Sequence, residues 1–202
     1  DSTLSRFSNW LHILARRRRE RDASLSALGF PYGGFRTGQR EIAELTYKCV
    51  DQGGQLLLEA PTGIGKTSAV LFPALKALAT NKHDKVVFLT AKTVGRRAAE
   101  STLADLAAAG YRGNALSLTA KEKICLSPGR ACHGDDCPYA RDYYEKLQPA
   151  MHAAIERDSL QREDLESLAR EFEVCPYELA LDLLPWVDVV IADLHYVYSL
   201  TA

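Results

Sequence analysis

Short apolar runs alternate with stretches of helical periodicity along the first 120 residues. The runs at residues 55–60, 85–91 and 115–119 are bounded by turn residues or charges, and helical patterns fill residues 66–79 and 94–109. Strands that alternate with helices in this way form βαβ units. The pattern therefore predicts an α/β fold with a parallel sheet, in which residues 55–60 form a buried strand.

Two helices are predicted before the first of these strands. Four apolar residues recur at helical spacing near the start of the chain, namely Leu4, Phe7, Leu11 and Leu14. The same helix continues into an arginine run at residues 16–19, which fits either a solvated helix end or a nucleic-acid contact. The second helix is expected at residues 37–50, with an apolar face formed by Ile42, Ala43, Leu45, Thr46 and Cys49. Cys49 is thus most simply a core residue.

The pattern changes between residues 120 and 185, which are rich in cysteine, proline and charges. Helical spacing within this stretch places one set of apolar side chains on a single face: Leu165, Leu168, Ala169 and Phe172. A short apolar strand follows at residues 187–192. We therefore interpret residues 120–185 as an insertion, after which the chain returns to the sheet.

Composition excludes several classes of protein. The 202 residues are 47% hydrophobic and 25% charged, which is typical of a folded globular chain and excludes wholesale disorder. No apolar run approaches the ~18 residues that a membrane span requires, so no membrane partner is expected. The five cysteines, an odd number, and the lack of a secretory leader after Asp1 favour the cytoplasm, as in a bacterial cytosol or nucleoid. We expect a monomer.

Charge is distributed unevenly, although the net charge is only −1. Residues 1–48 carry nine Lys and Arg against five Asp and Glu, and residues 86–132 carry seven against three, so each segment has a balance of +4. Residues 133–202 carry five against fifteen, a balance of −10. A polyanion is expected to follow the two basic segments and to avoid the acidic one.

The segment at residues 60–67 has the spacing of a phosphate-binding Walker A loop. It follows a predicted strand and opens a predicted helix, which is the context that this loop requires. Its glycines allow successive backbone N–H groups to point toward a phosphate, a lysine adds a mobile cation, and a threonine hydroxyl suits Mg²⁺. The predicted nucleotide-binding residues are Ala60, Pro61, Thr62, Gly63, Ile64, Gly65, Lys66 and Thr67, with Lys66 and Thr67 in catalytic roles.

A glutamine about twenty residues upstream of this loop is a second candidate for nucleotide binding. The side-chain amide of Gln39, in the sequence Phe35-Arg36-Thr-Gly-Gln39, can pair with both a donor and an acceptor on the edge of adenine. The ordinary chemistry of a helix N-terminus explains the same residues equally well.

Four cysteines lie within the inserted stretch. Cys125, Cys132, Cys137 and Cys175 are separated by six, four and thirty-seven residues. Four thiolates complete the coordination of either tetrahedral Zn²⁺ or an iron–sulfur cluster, because both favour sulfur. No pair has the C-x₂-C spacing of a zinc knuckle, and the wider gaps favour a 4Fe-4S cluster. Zinc, or thiols without a metal, remain alternatives, and His133 is a spare donor.

These motifs together resemble the XPD/DinG family of superfamily-two DNA helicases. The similarity runs from about residue 30 to the end: Phe35-Arg36-x-x-Gln39, APTGIGKT, LTAKT at residues 89–93, the four cysteines, and VVIADLHY at residues 189–196. The resemblance implies a P-loop NTPase with a RecA-like parallel sheet, interrupted by a mostly helical 4Fe-4S domain. It also implies ATP and Mg²⁺ as cofactors and single-stranded or forked DNA as the partner, with 5′-to-3′ movement along a single strand that unwinds DNA in repair or replication.

The sequence pattern and the resemblance together predict four parts. They are an N-terminal amphipathic helix or linker at 1–29, the first part of motor domain 1 at 30–119, the inserted cluster domain at 120–185 and a return to motor domain 1 at 186–202. No Asp-Glu-x-His box occurs, so we expect a truncated motor that binds ATP with only background hydrolysis. Asp193 is a poor substitute because Leu194 stands where a water-activating glutamate is needed. The alternative function is a non-catalytic nucleotide- and metal-binding module that contacts DNA or a partner protein.

The path of DNA is predicted partly by the resemblance and partly by charge. The resemblance implies that the loop after the second core strand touches the DNA backbone. This loop contains Thr90 and Thr93, with Lys92 and Arg96 nearby. Basic residues around the first cysteines extend the track through Lys121, Lys123 and Arg130. Three tyrosines could add base stacking, although each is more often a core or helix-surface residue: Tyr139, Tyr143 and Tyr144.

Overall fold

The computed structural model describes residues 2–198 and divides the chain into two compact units, Asp1–Gly113 and Asn114–Ala202. The first unit contains α1 (Ser2–Ala27), α2 (Gln39–Gln52), α3 (Lys66–Leu78), β1 (Val86–Thr90) and α4 (Thr93–Ala108). The second contains β2 (Ala115–Ser117), α5 (Lys121–Ile124), α6 (Tyr143–Ile155), β3 (Ser159–Leu160), α7 (Arg162–Phe172), α8 (Pro176–Leu183), a 3₁₀ turn (Leu184–Trp186), β4 (Val189–Asp193) and α9 (His195–Tyr198). No helix among the described residues has the length and apolar character to cross a membrane.

Helix α3 forms the centre of the first unit and packs against α1, α2 and α4. Its sequence is apolar around most of its circumference, which suits a helix that is covered on several sides. Leu71, Leu75 and Leu78 are completely buried. Since α3 begins directly after the predicted phosphate loop, this packing fixes the loop at the edge of the best-packed part of the unit.

The C-terminal part of α1 is attached to this core by its last carbonyl groups. Lys76 of α3 donates from Nζ to the carbonyl oxygens of Leu25, Ser26 and Leu28, at 2.5, 3.2 and 3.1 Å. These acceptors lack partners within the helix, so a cation at this position satisfies them. Burial lowers the pKa of Lys76.

Arginines of α1 make contacts within the first unit. Arg16 pairs with Glu20 at 3.1 Å, and Arg18 Nη2 donates to Asn81 Oδ1 at 3.2 Å and lies 3.4 Å from Asp84 Oδ1. These contacts fix the helix against the turn after α3. They favour a structural role for the arginine run over a nucleic-acid contact.

Two expectations for the first unit are wrong in the structure. The predicted apolar face of α1 is largely exposed, because the helix is packed mainly through its C-terminal part and Leu4, Phe7 and Leu11 are 74%, 59% and 48% exposed. Residues 55–60 form no strand, and Leu57 is fully exposed. A strand is held by ladder hydrogen bonds to a neighbouring strand, and residues 55–60 take part in no ladder among the described residues.

Three short strands of the second unit pair in parallel. Strand β2 is central, and it pairs with β3 through Leu116 opposite Leu160 and with β4 through Leu116 opposite Val190. The strands predicted at residues 115–119 and 187–192 are therefore present. Strand β3 was not expected, because two residues carry too little periodicity to be recognised.

Helices α6, α7 and α8 pack against one another beside this sheet. The predicted face of α7 is confirmed for Leu165, Leu168 and Ala169, which are all fully buried. A capping box between Gln161 and Asp164 begins the helix. The observed unit boundary between residues 113 and 114 groups β2 with the stretch that follows it, and the four-part division of the chain stays a prediction.

Candidate nucleotide-binding site

The predicted phosphate loop has the backbone conformation that anion binding requires. Gly63 and Gly65 have φ angles of +83° and +85°, in the left-handed region that favours glycine. A Cβ atom placed on Gly63 would meet nothing within 4 Å, so the space beside the loop is open there. Helix α3 begins at Lys66 and has no acidic residue in its first turn, so its N-terminal dipole favours a bound anion. The loop thus fits a nucleotide phosphate.

Lys66 is folded back onto the loop. Its Nζ donates to the carbonyl oxygens of Ala60 and Pro61 at 2.8 and 2.9 Å, while the side chain stays exposed. The lysine is therefore held within reach of the open face of the loop by two weak, neutral acceptors. An anionic phosphate is a stronger partner for an ammonium group than a carbonyl, so the lysine can exchange one for the other. Thr67 follows in the first turn of α3, and its side-chain hydroxyl is a suitable ligand for Mg²⁺.

Gln39 supports the phosphate loop through hydrogen bonds of its side-chain amide. Its side chain is only 3% exposed; Nε2 donates to Gly65 O at 3.2 Å and to Ser68 Oγ at 3.3 Å, and Oε1 accepts from the Arg36 backbone N–H at 3.0 Å. Arg36 Nη1 also donates to Gly63 O at 2.6 Å. Both N–H groups of the amide are occupied in this arrangement. Adenine recognition by Gln39 and Arg36 stays a prediction, and the structure assigns them a positioning contact with the loop.

Residues predicted to touch DNA in the first unit surround the start of α4. Thr90 Oγ1 donates to Lys92 O at 3.1 Å and accepts from Lys92 N at 3.3 Å, so it shapes the turn into the helix. A Cβ atom at Gly95 would collide with Thr90 Oγ1, which explains the glycine. Lys92 and Thr93 are exposed, and Arg96 is half-buried. Arg97, which follows Arg96 in the sequence, was not among the predicted DNA contacts although it is exposed.

The basic residues predicted to extend this track differ in accessibility within the second unit. Lys121 is half-buried, with Nζ 5.5 Å from the centroid of the Tyr177 ring, and its hydrogen bond with Cys132 raises the pKa of the lysine. Lys123 is exposed, as is Arg130, whose Nη1 donates to Asp136 O at 3.1 Å. Lys123 and Arg130 therefore remain the better candidates for contacts with a polyanion.

The four cysteines of the second unit are all free thiols with different surroundings. Cys132 is exposed, Cys125 and Cys175 are half-buried, and Cys137 is buried. Burial raises the pKa of the Cys175 thiol, against a smaller opposite effect of the backbone N–H groups of Glu178 and Tyr177. Both Cys132 and Cys175 act on Lys121, which places these two thiols around one cation.

The donor chemistry of these cysteines fits a cluster, but their arrangement does not form a complete site. Among the described residues, no group of three or more His, Cys, Asp or Glu side chains is placed to hold a metal ion. His133 lies instead between two carboxylates, with Nε2 3.4 Å from Asp136 Oδ2 and Nδ1 3.7 Å from Asp135 Oδ2. The 4Fe-4S cluster stays a prediction.

Comparison with known proteins identifies the family. Residues 38–174, more than half of the chain, match the DEAD/DEAH box helicase family. The chain belongs to this family. The match begins one residue before Gln39 and includes the phosphate loop, so the helicase resemblance of these motifs is confirmed at the level of the superfamily. It fits a RecA-like fold and implies ATP and nucleic acid as ligands.

Two relatives illustrate how much of a helicase the chain represents. A probable ATP-dependent helicase of Methanocaldococcus jannaschii is 38% identical over 61 residues, which are 30% of this chain and 9% of that protein. The XPD helicase subunit of general transcription and DNA repair factor IIH from Arabidopsis thaliana is 24% identical over 201 residues, 83% of this chain and 26% of that protein. The chain thus spans about a tenth and about a quarter of these relatives.

Asp193 and Tyr143 have local hydrogen-bond partners, and the other two candidate tyrosines differ in exposure. Asp193 Oδ1 accepts from the backbone N–H of His195 at 3.0 Å, at the start of α9. The hydroxyl of Tyr143 donates to Asp182 Oδ2 at 2.8 Å, and burial together with this carboxylate raises the pKa of Tyr143 far above its usual range. Tyr144 is 84% exposed and Tyr139 is half-buried, so Tyr144 is the tyrosine best placed for stacking.

Proposed function

We propose that this chain is the nucleotide-binding part of an ATP-dependent DNA helicase. The observation that carries the proposal is the phosphate loop at the N-terminus of α3, with Gly63 and Gly65 in left-handed conformations and the Lys66 ammonium held beside them. The same backbone could bind a simple anion. Family membership favours ATP.

Each residue of the site has a distinct task in this proposal. Bound Mg²⁺ would neutralise phosphate charge, and Thr67 would help to hold it. Lys66 would exchange its two carbonyl partners for phosphate oxygens, and the N–H groups of the loop would orient the phosphates. Gln39 and Arg36 hold the loop in the required shape and would contribute to recognition of the base. Hydrolysis needs a water-activating carboxylate, and Asp193, already engaged with His195, lacks an adjacent glutamate.

The proposal is tested by equilibrium binding of a fluorescent ATP analogue with Mg²⁺. Lys66→Ala should weaken binding by about tenfold or more, because a hydrogen bond to a charged group contributes about 1.5–3 kcal/mol. Lys48→Ala is the matched control, since Lys48 is an exposed lysine on α2 of the same unit. Equal affinity in wild type and Lys66→Ala would contradict the proposal. Binding without hydrolysis in the full-length protein would favour a non-catalytic module.

We also propose that the exposed residues at the start of α4, together with Lys123 and Arg130, contact single-stranded or forked DNA. Their charge and exposure support the proposal, and so does membership of a helicase family. The resemblance to XPD/DinG proteins suggests 5′-to-3′ unwinding, in repair or replication. Strand-displacement assays on substrates with opposite overhangs test this polarity.

A 4Fe-4S cluster held by Cys125, Cys132, Cys137 and Cys175 is the third part of the proposal. It is supported by the donor chemistry of four free thiols within one unit, and by the same resemblance. Protein purified without oxygen should be brown and contain about four iron atoms per chain. One zinc ion with no iron would assign the cysteines to zinc instead.

A further inference from the structure

Residues 30–38 form a strap that connects α1 to α2 without regular secondary structure. The strap is fixed to the core by aromatic packing. The ring of Phe30 stacks on Phe35 with centroids 4.0 Å apart, and it meets Phe72 of α3 edge-on at 5.5 Å. Polar contacts then lead away from this anchor: Arg36 contacts the phosphate loop directly and through Gln39, and Tyr32 contacts α4.

The contacts with the phosphate loop come from the end of the strap. Arg36 Nη1 donates to Gly63 O at 2.6 Å, and the Arg36 backbone N–H donates to Gln39, which in turn holds Gly65 and Ser68. Arg36 is exposed, so a phosphate bound beside Gly63 would attract its guanidinium and compete with the carbonyl contact. With a bound anion, the attachment of the strap to the loop would therefore have different partners.

The contact with α4 comes from Tyr32. Its hydroxyl donates to Asp105 Oδ2 at 2.6 Å. Tyr32 is 48% exposed, and its ring forms a T-shaped pair with that of Phe30, with centroids 5.4 Å apart. Partial burial and this carboxylate raise the pKa of Tyr32, so the hydroxyl stays protonated and can donate at neutral pH. A side chain this exposed adds little to the core, and its short bond joins residues 73 positions apart.

We propose that Tyr32 is a positioning residue that couples occupation of the phosphate loop to α4, which begins beside the exposed residues Lys92 and Thr93. The inference rests on the proposed nucleotide and DNA sites. A ligand shifts a second site only through contacts that differ between two states, and the Arg36 contact supplies that difference. Tyr32 transmits it, because the described hydrogen bonds between the strap and α4 are those that Tyr32 makes with Asp105 and Thr102.

The test measures how a bound nucleotide changes DNA affinity in the full-length protein. Anisotropy of a labelled oligothymidylate is recorded with and without a non-hydrolysable ATP analogue and Mg²⁺, which yields a coupling factor. Allosteric factors of about 5–150 are typical. Tyr32→Phe and Asp105→Asn should each reduce the factor by about threefold or more, with nucleotide affinity within about twofold of wild type, and the double variant should cause no further loss.

Tyr47→Phe is the control, because it removes a hydroxyl from the exposed surface of α2 in the same unit. It should leave the coupling factor unchanged. Wild-type coupling that survives in Tyr32→Phe overturns the inference, as does a protein that binds both ligands without any coupling, and in both cases the proposed function stands. Wild-type protein that binds no nucleotide overturns both. Thermal melting of each variant confirms that it is folded.

Discussion

The phosphate loop and the cysteine region show two ways in which a chain assembles a site. The loop is built from backbone groups within eight residues, and Lys66, Gln39 and Arg36 already contact it. The cysteines are spread over fifty residues, and no three metal-binding side chains of the described part converge. Backbone torsions and hydrogen bonds hold the loop together, whereas thiols have no attraction for one another until a metal joins them. The phosphate loop is therefore preorganised for its ligand, whereas the proposed cysteine site depends on a metal to bring its residues together.

The largest expected effect concerns whether the four cysteines bind one cluster together. Cys175→Ser should abolish cluster binding in the full-length protein, because removal of one ligand leaves an incomplete coordination sphere. Iron content and visible absorbance measure the effect. Cys49→Ser is the matched control, since Cys49 lies on α2 in the other unit. Iron that is retained in Cys175→Ser would remove this residue from the proposed ligands.

Gly65→Ala tests how strongly the loop depends on its backbone. A Cβ atom there would lie 2.5 Å from Gln39 Nε2 at a φ of +85°, so both the brace and the torsion must change. We expect at least about a tenfold loss of nucleotide affinity, from strain on the order of 1–2 kcal/mol. Gly29→Ala should have no effect, because a Cβ atom at Gly29 meets nothing within 4 Å. Normal binding by Gly65→Ala would show that the loop is adaptable.

Replacement of Lys121, Lys123 and Arg130 by alanine tests whether the basic residues near the cysteines contact DNA. Affinity for DNA should fall for every sequence, and the salt dependence should flatten by about one slope unit per lost phosphate contact. Since Lys121 is engaged with Tyr177 and Cys132, most of the effect should come from the other two residues. Titrations at several salt concentrations measure the slope. Arg162→Ala, which removes a charge paired with Glu166, should leave it unchanged.

The smallest effect is expected in the helical scaffold around the cysteines. Hydrogen bonds and charge from Arg162 and then Arg170 lower the pKa of Glu166 on α7. The carboxylate therefore contributes stability above its unfolded pKa of about 4.3, and this contribution is lost as the pH falls through the lower folded value. Glu166→Gln should cost less than about 1 kcal/mol at pH 7, because the partners are exposed. Urea unfolding at pH 7 and below pH 4 should show the difference shrink in acid, and an unchanged difference would refute the assignment.

The elements that were predicted correctly are those whose signals are local. The α7 face follows from spacing within eight residues, and the loop at residues 60–67 from two glycines and a lysine. The strand expected at residues 55–60 depends on partner strands, which no local pattern reveals. The bond between Tyr32 and Asp105 joins residues 73 apart, so neither spacing nor composition indicates it. The brace by Gln39 was missed for a similar reason, because its amide equally suits a base or a backbone.

The anchor between Lys76 and the end of α1 also has a mechanical consequence. Three backbone carbonyls at the C-terminal end of α1 converge on one ammonium group of α3. A pulling force applied along α1 is thereby carried into α3 through these bonds, and α3 is the helix that begins at the phosphate loop. The load would reach the loop through a helix of thirteen residues, with Pro73 in its interior, instead of through an irregular segment. Tension on α1 and a nucleotide on the loop thus act on opposite ends of the same helix.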